Sequence, residues 1–227
     1  MLFPLYGASC ENRQIQVDET TERDKELNSR IIAGTVGDGW NSLGTWAYDM
    51  DDINVITGLS TQIILCHIDS LENAFISPTY NLDFDYEITV EEIFMDVNNM
   101  LNVGDKITVR SVKGIITVNE LKKLKSARVN GSLLKYIDGE YNDDEYVLLS
   151  SFESIPFEEG KTYIMYLTDQ YLDRVKWYGE TGYGFSYEYT DGILYHGINY
   201  EKMNITIDQL KEQISSDIMN RSLDYLK

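Results

Sequence analysis

Two histidines, two cysteines and a surplus of carboxylates are the residues of this chain with chemistry to offer. His67 stands in the apolar stretch TQIILCHIDS and His196 in GYGFSYEYTDGILYHGINYE. Imidazoles serve as general bases or as zinc ligands, but neither histidine adjoins a nucleophile elbow, a metal motif or a paired cysteine. Each therefore reads as a hydrogen-bonded core or rim residue, and no catalytic residue is assigned. The rival reading, a metal-dependent hydrolase, needs the two to meet in space with a carboxylate. Asp138, Glu140, Asn142 and Asp144 alternate in DGEYNDDE, superficially like a calcium loop. An EF-hand loop requires Gly at its sixth position and Glu at its twelfth, where Asp143 and Leu149 stand. What remains is a solvated acidic loop, with a looser calcium cage as its alternative; YDMDDIN, residues 48–54, is of the same kind. Trp177 and Tyr178, expected in a loop beside Gly179, are the candidate aromatic contacts for a protein or glycan partner.

A further acidic feature is the stretch NLDFDYEITVEE. Leu82, Phe84, Tyr86, Ile88 and Val90 occupy alternate positions, with Asp83, Asp85, Glu87, Thr89 and Glu91 between them. An extended chain sends successive side chains to opposite faces, so the segment has one apolar and one acidic side. The simplest meaning of the acidic side is a solvated outer surface, because a one-residue slip would bury several charges. The sharper alternative is recruitment of calcium or a basic partner.

These residues must be positioned by a fold, and composition narrows its class. The chain has 227 residues and is 43% apolar, ample for a real core. Its 38 acidic against 19 basic residues give a formal charge of −19. Nucleic acid and anionic lipid surfaces would repel it on average. Seventeen Tyr with only three Pro favour strands. No apolar run reaches the roughly 18 residues of a membrane-spanning helix.

Strand signals follow in order. TQIILCHIDS is a continuous apolar run, as expected of a strand covered on both sides. The alternation of the acidic strand slips at Glu91-Glu92 before Ile93-Phe94, where a bulge is expected. NVGDKITVRSV turns at Gly104-Asp105 and then sends Ile107 and Val109 inward. Residues 119–135 read as a helix or insertion. Gly160 turns the chain into a strand from Thr162 to Leu167. Asp191-Gly192 is the dipeptide that a type I′ hairpin prefers, pairing Thr190 with Ile193 and Tyr189 with Leu194. Tyr183, Phe185, Tyr187 and Tyr189 then share a face with Leu194, His196 and Ile198, which reads as a barrel interior; an aromatic platform for sugar or peptide is the alternative. Thr206 and Gln209 form a capping box for a closing helix with a stripe of Ile207, Leu210, Ile214 and Ile218.

The start of the chain, MLFPLYGASC followed by ENRQIQVDETTERDKELNSR, resembles the processing site of bacterial lipoproteins, with Ala8 and Ser9 before the cut and Gly7 where Leu is usual. That resemblance implies lipid attachment at Cys10; a frayed apolar terminus is the other reading. Residues 1–30 are thus expected to be a signal remnant and polar tether, and 31–227 a single domain. The order of STQIILCHIDS, DYEITVEEIFMD, LNVGDKITVRSV, FEEGKTYIMYLTD and the final hairpin resembles a group of secreted or lipid-anchored proteins of Gram-positive bacteria. Their small barrel is of the OB type, similar to the domain shared by netrins and tissue inhibitors of metalloproteinases. The pieces that carry it are the Val103-Gly104-Asp105 turn and EEGKTYIMYL.

The resemblance implies a mainly β fold, a five-stranded OB-like barrel with a C-terminal helix. It also implies a place outside the membrane, with membrane contact only through the lipid, and a non-catalytic binding or envelope role. Inhibition of an extracellular protease is a further option. The disulfide-held cysteine by which metalloproteinase inhibitors bind zinc has no counterpart here.

Overall fold

Leu82, Phe84, Tyr86, Ile88 and Val90 are all buried on one side of one long strand, and that strand organises the molecule. The computed structural model describes residues 31–33, 53–76, 82–124, 141–149, 155–172, 175–181, 186–196 and 201–224. The strands are β1 (Ile31–Ala33), β2 (Gln62–Ile76), β3 (Leu82–Asp96), β4 (Lys106–Ser111), β5 (Gly114–Thr117), β6 (Tyr146–Leu149), β7 (Thr162–Leu172), β8 (Val175–Glu180), β9 (Ser186–Thr190), β10 (Ile193–His196) and β11 (Glu201–Lys202). The helices are α1 (Ile53–Leu59), α2 (Val118–Lys123) and α3 (Ile207–Asp224).

Five strands close into a mixed barrel in the order β2, β3, β4, β8, β7 and back to β2. All neighbours are antiparallel except β4 and β8, which run parallel through Val109 opposite Tyr178 and Arg110 opposite Gly179. Counted along the chain, the barrel strands meet as first, second, third, fifth and fourth, the order of an OB-like barrel. The bulge expected in β3 is present: Val90 pairs with Cys66 and Glu92 with Leu65, leaving Glu91 without an opposite number. Gly104, at φ 91°, makes the turn into β4, and Val109 is buried while Lys106 and Thr108 are exposed.

The fifth barrel strand differs from expectation. It is β8, not the final hairpin, and it runs through Trp177, Tyr178 and Gly179 where a loop was expected. The hairpin β9–β10 lies beyond the barrel and extends the sheet from β7. Its turn is as read: Asp191 and Gly192 have φ of 52° and 82°, and Thr190 pairs with Ile193. One edge of β7 serves both neighbours, with Tyr163–Met165 on β9 and Leu167–Leu172 on β8.

Two apolar clusters share the sheet. The barrel interior holds Ile64, Cys66 and Ile68 of β2, the β3 stripe, and Tyr163, Met165 and Leu167 of β7. The intervening residues Ile63, Leu65, Ile164 and Tyr166 form the second cluster with Ile56 of α1 and Leu210 and Ile214 of α3. The apolar run of β2 is continuous because both of its faces are covered. Tyr187 and Leu194 are buried in this second cluster, under the helices and outside the barrel, which corrects their assignment to the barrel interior. The capping box of α3 forms, with Gln209 N–H donating to Thr206 Oγ1 at 3.2 Å and Thr206 N–H to Gln209 Oε1 at 2.8 Å. The helix covers a face of the sheet. The connection from β4 to β7 carries β5, β6 and α2; β5 and β6 form a small sheet with β1 in the order β1–β6–β5, and Thr117 and Glu120 form a capping box for α2 that sequence reading passed over.

Candidate functional site

The most polar constellation drawn inside the barrel centres on Lys113, in the short link between β4 and β5. Its side chain has no solvent exposure, and Nζ lies 2.7 Å from Glu180 Oε1 at the end of β8, whose side chain is 4% exposed. The ammonium also donates to Ser186 Oγ of β9 at 2.7 Å and stands 4.1 Å from the centre of the Phe157 ring. Ser111 donates to the other Glu180 oxygen at 2.5 Å. Burial pulls the Lys113 ammonium below its ordinary range, and the Glu180 carboxylate opposes that pull. Around it Phe84, Tyr86, Phe157 and Tyr163 fill the interior, with Tyr86 donating to Lys113 O at 3.1 Å and Phe157 edge-on to Tyr163 at 4.9 Å.

A lysine beside a serine hydroxyl is the geometry of a Ser–Lys nucleophile pair. Here the chemistry runs the other way. A general base must be neutral, and Glu180 stabilises the charged ammonium; Ser186 has no exposure, so no substrate atom reaches its Oγ. The cluster ties three separate segments together: the β4–β5 link, the end of β8 and β9.

A second cluster lies along the same side of β9. Lys161 Nζ is 2.9 Å from Glu158 Oε1 and 3.3 Å from Glu188 Oε2. Burial raises the Glu188 carboxyl above the ordinary range, with Lys161 acting against the rise. Two acids share one ammonium at the barrel end where Gly160 turns into β7.

The acidic side of β3 faces outward, as expected, but it is met by cations of β4. Arg110 makes a two-pronged pair with Asp85, Nε to Oδ1 at 2.7 Å and an Nη to Oδ2 at 2.9 Å. Lys106 Nζ lies 2.9 Å from Glu87 and 3.0 Å from Asp69. These pairs follow the ladder, in which Asp85 is opposite Arg110 and Thr89 opposite Lys106. Asp85 and Glu87, two of the carboxylates offered for calcium, are thus met by neighbouring cations.

The other sequence candidates disperse. Cys10, Asp138 and Glu140 lie outside the described residues. Asn142 and Asp144 are exposed in the turn before β6, where Asn142 N–H donates to Glu145 Oε2 at 2.7 Å and Asp143 pairs with Lys122 at 2.6 Å. Trp177 has its backbone in β8. Tyr178 is 7% exposed and belongs to the barrel core, so it is not the exposed aromatic contact expected of it. His67 on β2 lies 3.5 Å from Thr162 Oγ1, and His196 on β10 packs its ring 5.4 Å from that of Tyr187. From β2 to β10 the ladder passes through β7 and β9, three steps of about 4.8 Å, so the histidines stand roughly 14 Å apart along the sheet. That spacing between strands is longer than two ligands of one ion need. Among the described residues no group of three or more His, Cys, Asp or Glu is placed to hold a metal. Cys66 is buried, and burial raises its thiol, so it packs as a small hydrophobe.

Among the described residues, three of the exposed large apolar side chains gather at the β3–β4 turn, while Tyr141, before β6, is exposed elsewhere. Val97 is 62%, Met100 49% and Val103 65% exposed, and Leu59, at the end of α1, is 39% exposed. Sequence reading placed the turn at Gly104-Asp105 but gave no role to its apolar side chains, because its Asn, Gly and Asp residues look like ordinary punctuation.

No protein-family model, no curated protein and no solved structure matches the chain. Among the described residues no helix is long and apolar enough to cross a membrane.

Proposed function

We propose that the protein is a non-catalytic binding domain of the Gram-positive cell envelope, lipid-anchored through Cys10 or secreted, that engages a partner through its surface turns. The observation that carries this reading is the state of the buried charges. Lys113 with Glu180, and Lys161 with Glu158 and Glu188, pair with one another inside the fold, and the aromatic side chains around Lys113 are buried. Groups locked in this way support structure and have no free face to offer a reacting atom. The OB-like strand order supports the likeness to the netrin and metalloproteinase-inhibitor domain, and the lipoprotein-like start of the sequence supports the location. Inhibition of an extracellular protease by the barrel rim is a second reading, favoured by the exposed apolar side chains of the β3–β4 turn.

The test is to assay the full chain for hydrolysis of nitrophenyl esters and phosphates, with and without zinc or calcium, beside Ser186→Ala. No turnover by either protein is expected, and neither ion should raise Tm. Turnover that Ser186→Ala abolishes at unchanged Tm overturns the reading, and so does metal-dependent turnover. Mass analysis of the native N-terminus tests the anchor; Met1 intact with Cys10 unmodified rejects it.

A further inference from the structure

The β3–β4 turn is built to hold its apolar side chains in water. Asp96, the last residue of β3, accepts from the backbone N–H groups of Asn98 at 3.3 Å, Met100 at 2.6 Å and Leu101 at 2.8 Å. Asp105 accepts from Asn102 N–H at 2.8 Å and from its side-chain amide at 3.3 Å. Asn99 takes a positive φ of 49° between these two caps. Leu101 is sunk into the barrel core as an anchor, so its neighbours Met100 and Val103 are left pointing outward. The turn is tied at its flanks as well: Val97 N–H donates to Thr61 O at 3.0 Å, two residues from Leu59, and Asn98 donates to Asp169 at 3.0 Å. A loop whose backbone is already ordered loses little freedom when something binds it. Exposed apolar side chains on a fixed frame mark a contact surface.

The surroundings select the chemistry of the occupant. Asp96, Asp105 and Asp169 ring the turn, and Glu91, next to Val90 whose backbone bonds the Gly104–Asp105 corner, is exposed. The neighbouring lysines are engaged, Lys106 by Glu87 and Asp69 and Lys211 by Glu92. The field at this end is therefore negative, on a chain whose net charge is −19. A second copy and an anionic bilayer are both repelled by it.

We infer that the end of the barrel formed by Val97, Met100, Val103 and Leu59 docks a cationic protein segment, one that offers apolar side chains flanked by Lys or Arg. This inference rests on the binding-domain reading and names the partner chemistry. Apolar contact at the centre supplies the affinity, and the acidic ring supplies orientation and encounter rate.

The test uses the full chain with an 18-residue amphipathic peptide of Leu and Lys, its Leu and Glu counterpart, and phosphatidylcholine vesicles. The Leu/Lys peptide is expected to bind, more weakly as salt rises. The double variant Val97→Ser with Val103→Ser, at unchanged Tm, should weaken that binding at least tenfold. The Leu/Glu peptide and the vesicles should not bind, and sedimentation velocity should show no dimer sensitive to the double variant. Equal binding by wild type and variant, absence of binding, or a preference for vesicles or for a second copy overturns the inference. A natural partner that binds the double variant undiminished also overturns it while leaving the binding-domain reading in place, and turnover in the hydrolysis assay removes both.

Discussion

Arg110 and Lys113 are three residues apart and each meets one carboxylate at 2.7 Å, yet they sit on opposite sides of the barrel wall. Arg110 and Asp85 lie on the outer face with side chains 24% and 16% exposed, so water and salt share the work of stabilising them. Lys113 and Glu180 are shut in at 0% and 4%, where each charge depends on the other and on two serine hydroxyls. The difference teaches that surroundings, not the pairing itself, decide what a break costs. Removing one partner outside leaves a solvated ion; removing one inside leaves a charge with nowhere to go.

Lys113→Ala should therefore have the largest effect, a loss of about 3–5 kcal/mol in denaturant unfolding, because Glu180 is left buried and uncompensated. Lys113→Met with Glu180→Leu should recover most of that loss; a double variant as unstable as Lys113→Ala would show that the ion pair is not the source. Next comes Gly114→Ala, in the residue after the buried lysine. An added Cβ would stand 2.5 Å from Tyr86 Oη and 2.8 Å from a Phe84 ring carbon, so the packed aromatic core must shift. Calorimetry should show a loss of about 1–3 kcal/mol, typical of overpacking. A third, smaller effect is pH-dependent. The folded pKa of Glu188 lies above its ordinary 4.5, so the native state binds its proton more tightly than the unfolded chain. Stability from this residue is then greatest at low pH and falls as pH rises above 4.5 through the native pKa. Glu188→Gln should flatten that fall in urea titrations across the same window; an unchanged slope refutes the assignment. Smallest of all is the outer wall. Arg110→Ala should cost no more than about 1 kcal/mol. Lys106→Ala should cost less, with the difference from wild type vanishing in high salt. An outer-wall loss as large as that of Lys113→Ala would erase the contrast.

The same contrast explains what could be read from the sequence. β3 was legible because its sides meet different solvents, so Leu82 to Val90 alternate in plain view. The hairpin was legible because Asp191-Gly192 carries its backbone requirement in its own residue types. β2 was legible as a doubly covered strand from its unbroken apolar run. β8 was not, since what makes Val175–Glu180 a strand is distant: Tyr178 needs Val109, and Glu180 needs Lys113. Lysine is almost never fully buried, so nothing in VRSVKGII announced that Lys113 turns inward. The apolar surface of the β3–β4 turn was missed for the opposite reason: Val97, Met100 and Val103 look like ordinary loop fillers until Asp96 and Asp105 are seen to fix their backbone.

The parallel contact of β4 with β8 bears on how the chain is made. Those strands lie far apart in sequence, whereas β2, β3 and β4 follow one another as a meander. As the chain leaves the ribosome, that meander emerges first, with one greasy side and nothing yet to lay against it. The small sheet, α2 and β7 must all be synthesised before β8 arrives to shut the seam. Loop-closure entropy counts against pairings so distant in sequence, and β8, the last barrel strand to be made, completes them.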